Sequence, residues 1–168
     1  MRDLLKEIKI LIFDLDGVLT DGRITYSESG DELKSFHARD GFAIKEALVR
    51  GLKIAVVSTR PSKAAARWLG ELSDVELHLG VKDKFETYGQ VKLSHGLTDA
   101  ECAYMGDDIS DLPALEAAGF SATPIDGHEY LRSRVAYISG YEGGKGCVRE
   151  LIEMVLAEQG KWKYFVET

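Results

Sequence analysis

Ile10-Leu11-Ile12-Phe13-Asp14-Leu15-Asp16-Gly17-Val18 decides the fold of this chain. Four apolar residues run without alternation into two carboxylates spaced i and i+2, with a glycine directly after them. An unbroken apolar run of this length reads as a strand buried on both faces, the condition of strands in a parallel sheet. The C-terminal ends of such strands are where open α/β sheets bind ligands, and both aspartates fall there. Gly17 permits a sharp turn and a close backbone approach. Two carboxylates so near each other repel unless a cation or a shared proton compensates them, and a hard cation such as Mg²⁺ is the natural partner of oxygen ligands.

Three further segments follow in the order that one site would need. Lys53-Ile54-Ala55-Val56-Val57-Ser58-Thr59-Arg60 is a second apolar run, ending in hydroxyls. Val81-Lys82-Asp83-Lys84 places a lysine at the start of a helical pattern, with Lys82 as a rival cation. Ala103-Tyr104-Met105-Gly106-Asp107-Asp108-Ile109-Ser110-Asp111 is a third strand ending in acids. This four-part order, spanning nearly the whole chain, resembles the haloacid dehalogenase superfamily of phosphotransferases.

Strands are expected near 8–13, 53–58, 76–79, 102–105, 119–122 and 135–138, alternating with helices near 41–50, 62–72, 84–95, 111–118, 128–133 and 147–158. Asp40, Ser62 and Asp111 read as helix starts, the last two residues ahead of Pro113, and Gly51 and Gly119 as stops. The alternation predicts a three-layer α/β/α, Rossmann-like fold with a parallel central sheet, as the resemblance also implies. Residues 1–168 read as a single phosphatase domain. Two short polar–apolar alternations flank Ser29-Gly30-Asp31 and predict a β-hairpin inserted at about 22–36, too short to be a cap domain. Capless members of the superfamily often oligomerise so that a neighbour covers the site. A tail from about 160 to 168, aromatic at Trp162, Tyr164 and Phe165, could dock on a neighbouring subunit.

At 168 residues, 45% hydrophobic and 29% charged, the chain suits one soluble domain with a sizeable core. A net charge of −7 argues against a nucleic-acid partner. No apolar stretch suggests a membrane span or an export signal, and neither Cys102 nor Cys147 has metal-ligand spacing, so a cytoplasmic location is expected.

The superfamily resemblance implies roles position by position. Asp14 would attack phosphorus and form an aspartyl phosphate, and Asp16 would protonate the leaving oxygen and then activate water. Mg²⁺ would be held by Asp14, Asp107 and the backbone carbonyl of Asp16. Ser58 and the amide of Thr59 would bind phosphoryl oxygens, with Lys84 as the cation. Asp108 and Asp111 would support from behind, Asp111 by capping its helix, by orienting Lys84 or through a metal-bound water.

A narrower resemblance rests on Gly30-Asp31-Glu32-Leu33-Lys34-Ser35-Phe36, His37-Ala38-Arg39-Asp40-Gly41, Gly80 to Lys84, Gly106 to Asp108, Gly143-Gly144-Lys145-Gly146-Cys147-Val148-Arg149-Glu150 and Gln159 to Trp162. These are similar to the 3-deoxy-D-manno-octulosonate 8-phosphate phosphatases, Mg²⁺-dependent capless tetramers of lipopolysaccharide sugar biosynthesis. By that likeness His37, Ala38, Arg39, Asp40, Gly41, Lys45 and Arg60 would line the sugar site of a homotetramer. Arg39 or Arg60 would pair the substrate carboxylate bidentately. Arg60 stands where phosphatases of nine-carbon sugar 9-phosphates tend to carry glutamate, which favours the eight-carbon acid. Two positions depart from the family, Thr59 for glycine and Trp68 for arginine; Trp68 reads as a core anchor or an interface residue. The rivals are an acylneuraminate 9-phosphate phosphatase, a phosphomutase and a non-catalytic sugar-phosphate-binding protein.

Overall fold

The computed structural model describes residues 1–72 and 74–164. Its centre is a six-stranded parallel sheet built from β1 (Ile10–Asp14), β4 (Lys53–Ser58), β5 (Val75–Leu79), β6 (Cys102–Met105), β7 (Phe120–Thr123) and β8 (Tyr137–Ile138). The order across the sheet is β5-β4-β1-β6-β7-β8. Thus β1 lies between β4 and β6, with Asp14 beside Val57 and Phe13 beside Met105. The chain winds outward from β1 through β4 to β5, then crosses back to place β6 on the other flank. That reversal opens a crevice at the carboxyl ends of the central strands.

Burial on both faces explains the unbroken apolar runs. Leu11 and Phe13 of β1 pack into one core with α1 (Arg2–Glu7), α2 (Ala38–Val49), α3 (Lys63–Gly70) and α7 (Cys147–Glu158). Ile10 and Ile12 pack into the other with α4 (Lys84–Ser94), α5 (Leu112–Ala117) and α6 (Glu129–Arg132). This is the expected three-layer arrangement. The inserted hairpin is also present, as antiparallel β2 (Thr25–Tyr26) and β3 (Glu32–Leu33). No helix among the described residues is long and apolar enough to cross a membrane.

Three expectations need correction. α1 carries no strong start signal and is absent from the sequence reading; it holds only six residues, anchored by buried Leu5. α2 begins at Ala38 rather than Gly41, because His37 is its N-cap and accepts from the Arg39 amide at 3.2 Å. Asp40 is therefore inside the first turn, fully buried, and accepts the Arg149 amide of α7 at 2.9 Å. Asp111 precedes α5 but does not cap it with its side chain; it closes a turn of 3₁₀ helix that Asp108 caps.

Trp162 of the tail and Trp68 of α3 both pack against partners within one chain. Trp162 is buried against the α7 core, and its amide and that of Lys161 bond to the Leu156 carbonyl. Trp68 stacks on Phe36 with ring centroids 4.3 Å apart, and its edge lies under Gly41, where an added Cβ would come within 3.1 Å. It is thus a core anchor that fixes the start of α2. Phe165 lies outside the described residues.

Candidate active site

Asp14 ends β1, buried, and one carboxylate oxygen accepts the Leu15 amide at 2.7 Å while lying 3.0 Å from Lys84 Nζ. Lys84 opens α4, whose N-cap is Asp83, and donates to Asp111 at 2.8 Å. Asp111 is fully buried and is also bonded by the Tyr104 hydroxyl at 2.9 Å and by the amides of Asp107 and Asp108 at 3.3 Å. Four donors therefore fix Asp111, and through it Lys84 and the loop that carries Asp107. Lys82, the rival lysine, is exposed.

Glycines let these loops meet. Gly17 has φ +87°, and a Cβ there would come within 1.9 Å of Asp107 Oδ2. Gly106 packs on Asp111, where a Cβ would come within 2.4 Å. Behind the Asp16 turn, Gly143 and Gly144 press on the backbone of Gly17, Thr20 and Asp21. The Gly144 amide bonds to Val18 at 2.8 Å and Cys147 Sγ to the same carbonyl at 3.3 Å. The glycine-rich segment noted in the sequence thus holds the turn of the Asp-x-Asp motif.

Asp14, Asp107 and Asp111 offer carboxylate oxygens within 4.8 Å of one another. Three carboxylates face one lysine, so the cluster lacks positive charge. Burial, then the Asp111 charge, raises the Asp14 pKa well above the carboxylate range, with Lys84 opposing. Burial also pushes Asp107 up to about 6. Burial works to lower the Lys84 pKa, but Asp14 and Asp111 override it and the net shift is upward. Asp111 has spent its lone pairs on donors, whereas Asp14 and Asp107 retain oxygens to share. Two undercompensated oxygen ligands in a buried site fit a hard divalent cation such as Mg²⁺.

At the mouth stands a second cluster. Lys34, from the strand end of the hairpin, has a buried side chain and donates to Asp16 Oδ1 at 2.5 Å, while lying 3.0 Å from Glu32. Arg60 bonds Glu32 and lies 3.4 Å from the Tyr26 hydroxyl, with its Nε 3.8 Å from Asp16 Oδ2. Neither Glu32 nor Lys34 is among the site residues that the sequence indicates. Their charge alternation around a two-residue strand was visible, but nothing local says that a hairpin folds back onto Asp16. Ser58 is buried at the end of β4 and its hydroxyl accepts the Arg60 amide at 3.2 Å, with Thr59 exposed beside it.

The remaining sugar-site candidates sit apart from the Asp14 cluster within this chain. Arg39 lines a groove of about 460 Å³ with Tyr141, Lys145 and Arg149. Ala38 borders an adjoining hollow against Phe42, Lys45 is exposed, and His37 and Gly41 shape the start of α2. One Asp40 carboxylate oxygen accepts the Arg149 amide of α7 and Oδ2 is buried with no hydrogen-bond partner, so within this chain Asp40 stitches two helices together.

No family model matches the chain. It is 38% identical over 165 residues to the 3-deoxy-D-manno-octulosonate 8-phosphate phosphatase KdsC of Haemophilus influenzae, covering 98% of this chain and 92% of that protein. Among solved structures, the 3-deoxy-D-manno-octulosonate 8-phosphate phosphatase of Moraxella catarrhalis, in complex with magnesium, phosphate and KDO, superposes with a TM-score of 0.92 at 34% identity, over 95% of this chain and 91% of that one. The cobalt-bound phosphatase from H. influenzae superposes with a TM-score of 0.90 at 39% identity, over 94% and 92%. With this likeness running from end to end of both sequence and fold, the chain belongs to the 3-deoxy-D-manno-octulosonate 8-phosphate phosphatase family of the haloacid dehalogenase superfamily.

Proposed function

We propose that the protein is a Mg²⁺-dependent phosphatase, one catalytic domain, that hydrolyses 3-deoxy-D-manno-octulosonate 8-phosphate. The observation that carries this reading is the constellation of buried Asp14 and Lys84 with half-buried Asp107 at the strand ends, and Ser58 on the neighbouring strand. Asp14 attacks phosphorus as its ester bond to the sugar oxygen breaks, and the phosphoryl group passes to the Asp14 carboxylate. Asp16 gives its proton to the leaving alkoxide and then takes one from the water that cleaves the aspartyl phosphate. The Ser58 hydroxyl and the Thr59 amide receive phosphoryl oxygens. Lys84, held by Asp111, offsets their charge where little water competes. Asp108 caps the turn that keeps Asp107 in place. Mg²⁺, held by Asp14, Asp107 and the Asp16 carbonyl, would neutralise charge that develops on the transferring group.

Arg60 serves the substrate carboxylate, standing at the mouth rather than beside phosphorus. His37, Ala38, Arg39, Gly41 and Lys45 complete the sugar site, with Asp40 acting through the α2–α7 seam. The hairpin strands, two residues each, leave the mouth without a roof. We therefore assign the working form as a cytoplasmic homotetramer in which neighbouring copies cover one another, to be checked by light scattering: a mass four times that of the chain supports it and a monomeric mass removes it. The activity is tested by phosphate release with Mg²⁺ from 3-deoxy-D-manno-octulosonate 8-phosphate, an acylneuraminate 9-phosphate and hexose phosphates. Preference for the first, abolished by a chelator, is expected; better turnover of another ester would reassign the substrate.

A further inference from the structure

The mouth cluster contains two cations, Lys34 and Arg60, and two anions, Asp16 and Glu32. Its hydrogen bonds are unequal. Lys34 is shared between both carboxylates, whereas Arg60 is committed to Glu32 and leaves its Nε without a hydrogen-bond partner. Asp16 Oδ2, 3.8 Å away, is likewise unpartnered. Arg60 is thus held by a glutamate on a small hairpin, in an arrangement that leaves two buried polar atoms unsatisfied. Such atoms are costly when buried, so the closed pair is poised to exchange for a better one. With Glu32 swung away, Lys34 and Arg60 face only Asp16, and the Arg60 guanidinium is free to take one carboxylate beyond the phosphate.

We propose that Glu32 is an internal competitor for Arg60, occupying the place that the carboxylate of the substrate takes and of the product leaves. This rests on the reading that Arg60 receives the carboxylate of an acidic sugar phosphate. The exchange is of one carboxylate for another on the same guanidinium, a geometry that arginine supports bidentately. It has a consequence for turnover. Dephosphorylation removes the phosphoryl anchor but leaves the sugar its carboxylate, and Glu32 reclaims Arg60 as the product departs.

The test is Glu32→Gln, which keeps shape and removes charge, assayed on 3-deoxy-D-manno-octulosonate 8-phosphate and on p-nitrophenyl phosphate, a small ester without a carboxylate. The variant is expected to lower KM for the acidic sugar phosphate, and the inhibition constant of the dephosphorylated sugar, by about fivefold, the scale of a partly exposed ion pair. KM for p-nitrophenyl phosphate should stay within twofold (roughly the scatter of a surface substitution). In an Arg60→Gln background the Glu32→Gln change should have no further effect on either substrate. A KM that rises or stays put in Glu32→Gln, or an effect that persists without Arg60, would overturn the competitor role, with melting temperature read alongside to exclude misfolding. Wild-type protein that hydrolyses p-nitrophenyl phosphate but neither turns over nor binds the acidic sugar would instead sink the substrate reading on which the competitor role depends.

Discussion

Two charged clusters lie within one crevice, and they are built differently. The inner one, Asp14, Lys84, Asp107 and Asp111, hangs from strand ends and a helix start, and every member except Asp107 is buried. Asp111 alone collects four donors. The outer one, Asp16, Glu32, Lys34 and Arg60, is half assembled from a hairpin of two-residue strands and leaves polar atoms unpaired. Fixed dipoles and charges stabilise a transition state most when they need not rearrange. Selection among substrates, in contrast, requires groups that can change partner. The inner cluster suits chemistry common to any phosphate ester, and the outer one suits choice of the sugar.

The sharpest way to break this division is Asp14→Asn. It removes the nucleophile we propose, so kcat should fall by at least about a thousandfold on acidic and simple esters alike. A loss confined to the sugar phosphate would dissolve the distinction. Next comes Gly17→Ala, whose methyl group would lie within 1.9 Å of Asp107 Oδ2 at a φ that disfavours side chains. Asp107 must then turn away, and we expect activity to fall by roughly a hundredfold, together with loss of the Mg²⁺-induced rise in melting temperature. Lys34→Met, in the outer cluster, should cost about tenfold in kcat through a mispositioned Asp16, with Mg²⁺ stabilisation retained.

The smallest effect is expected outside both clusters. Burial raises the Asp40 pKa above the usual carboxylate value. A carboxyl that holds its proton more tightly folded than unfolded makes stability fall as pH rises from the unfolded pKa through the folded one. Asp40→Asn keeps an acceptor for the Arg149 amide and lacks that slope, so its melting temperature relative to wild type should improve as pH climbs out of the acid range. Asp40→Ala, which orphans the amide, should be destabilised by about 1–3 kcal/mol at neutral pH. Equal pH slopes for wild type and Asp40→Asn, followed by thermal melts, would contradict the buried-seam account.

The sequence was most legible where one physical cause governs a residue. β1, β4 and β6 announce themselves because strands buried on both faces must be apolar throughout, and acids at their ends have no structural purpose in a core. Lys84 could be ordered against Lys82 only through family resemblance; in three dimensions the choice follows from burial between two carboxylates. Asp40 was misread because a carboxylate just ahead of a glycine resembles a cap, while its partner lies 109 residues away on α7. Glu32 and Lys34 escaped notice for a related reason: where a hairpin docks is set by tertiary contacts that its own turn residues do not encode. Trp68 shows the converse, since its pairing with Phe36 and Gly41 accounts for a departure from the family in packing terms.

The most direct test of the division between clusters compares kcat/KM for 3-deoxy-D-manno-octulosonate 8-phosphate and p-nitrophenyl phosphate in Lys84→Met and Arg60→Gln. The account predicts that Lys84→Met lowers both by a similar factor, at least about a hundredfold, whereas Arg60→Gln depresses the acidic sugar phosphate and largely spares the simple ester. Equal losses on both substrates in Arg60→Gln, or a loss confined to the sugar phosphate in Lys84→Met, would contradict it.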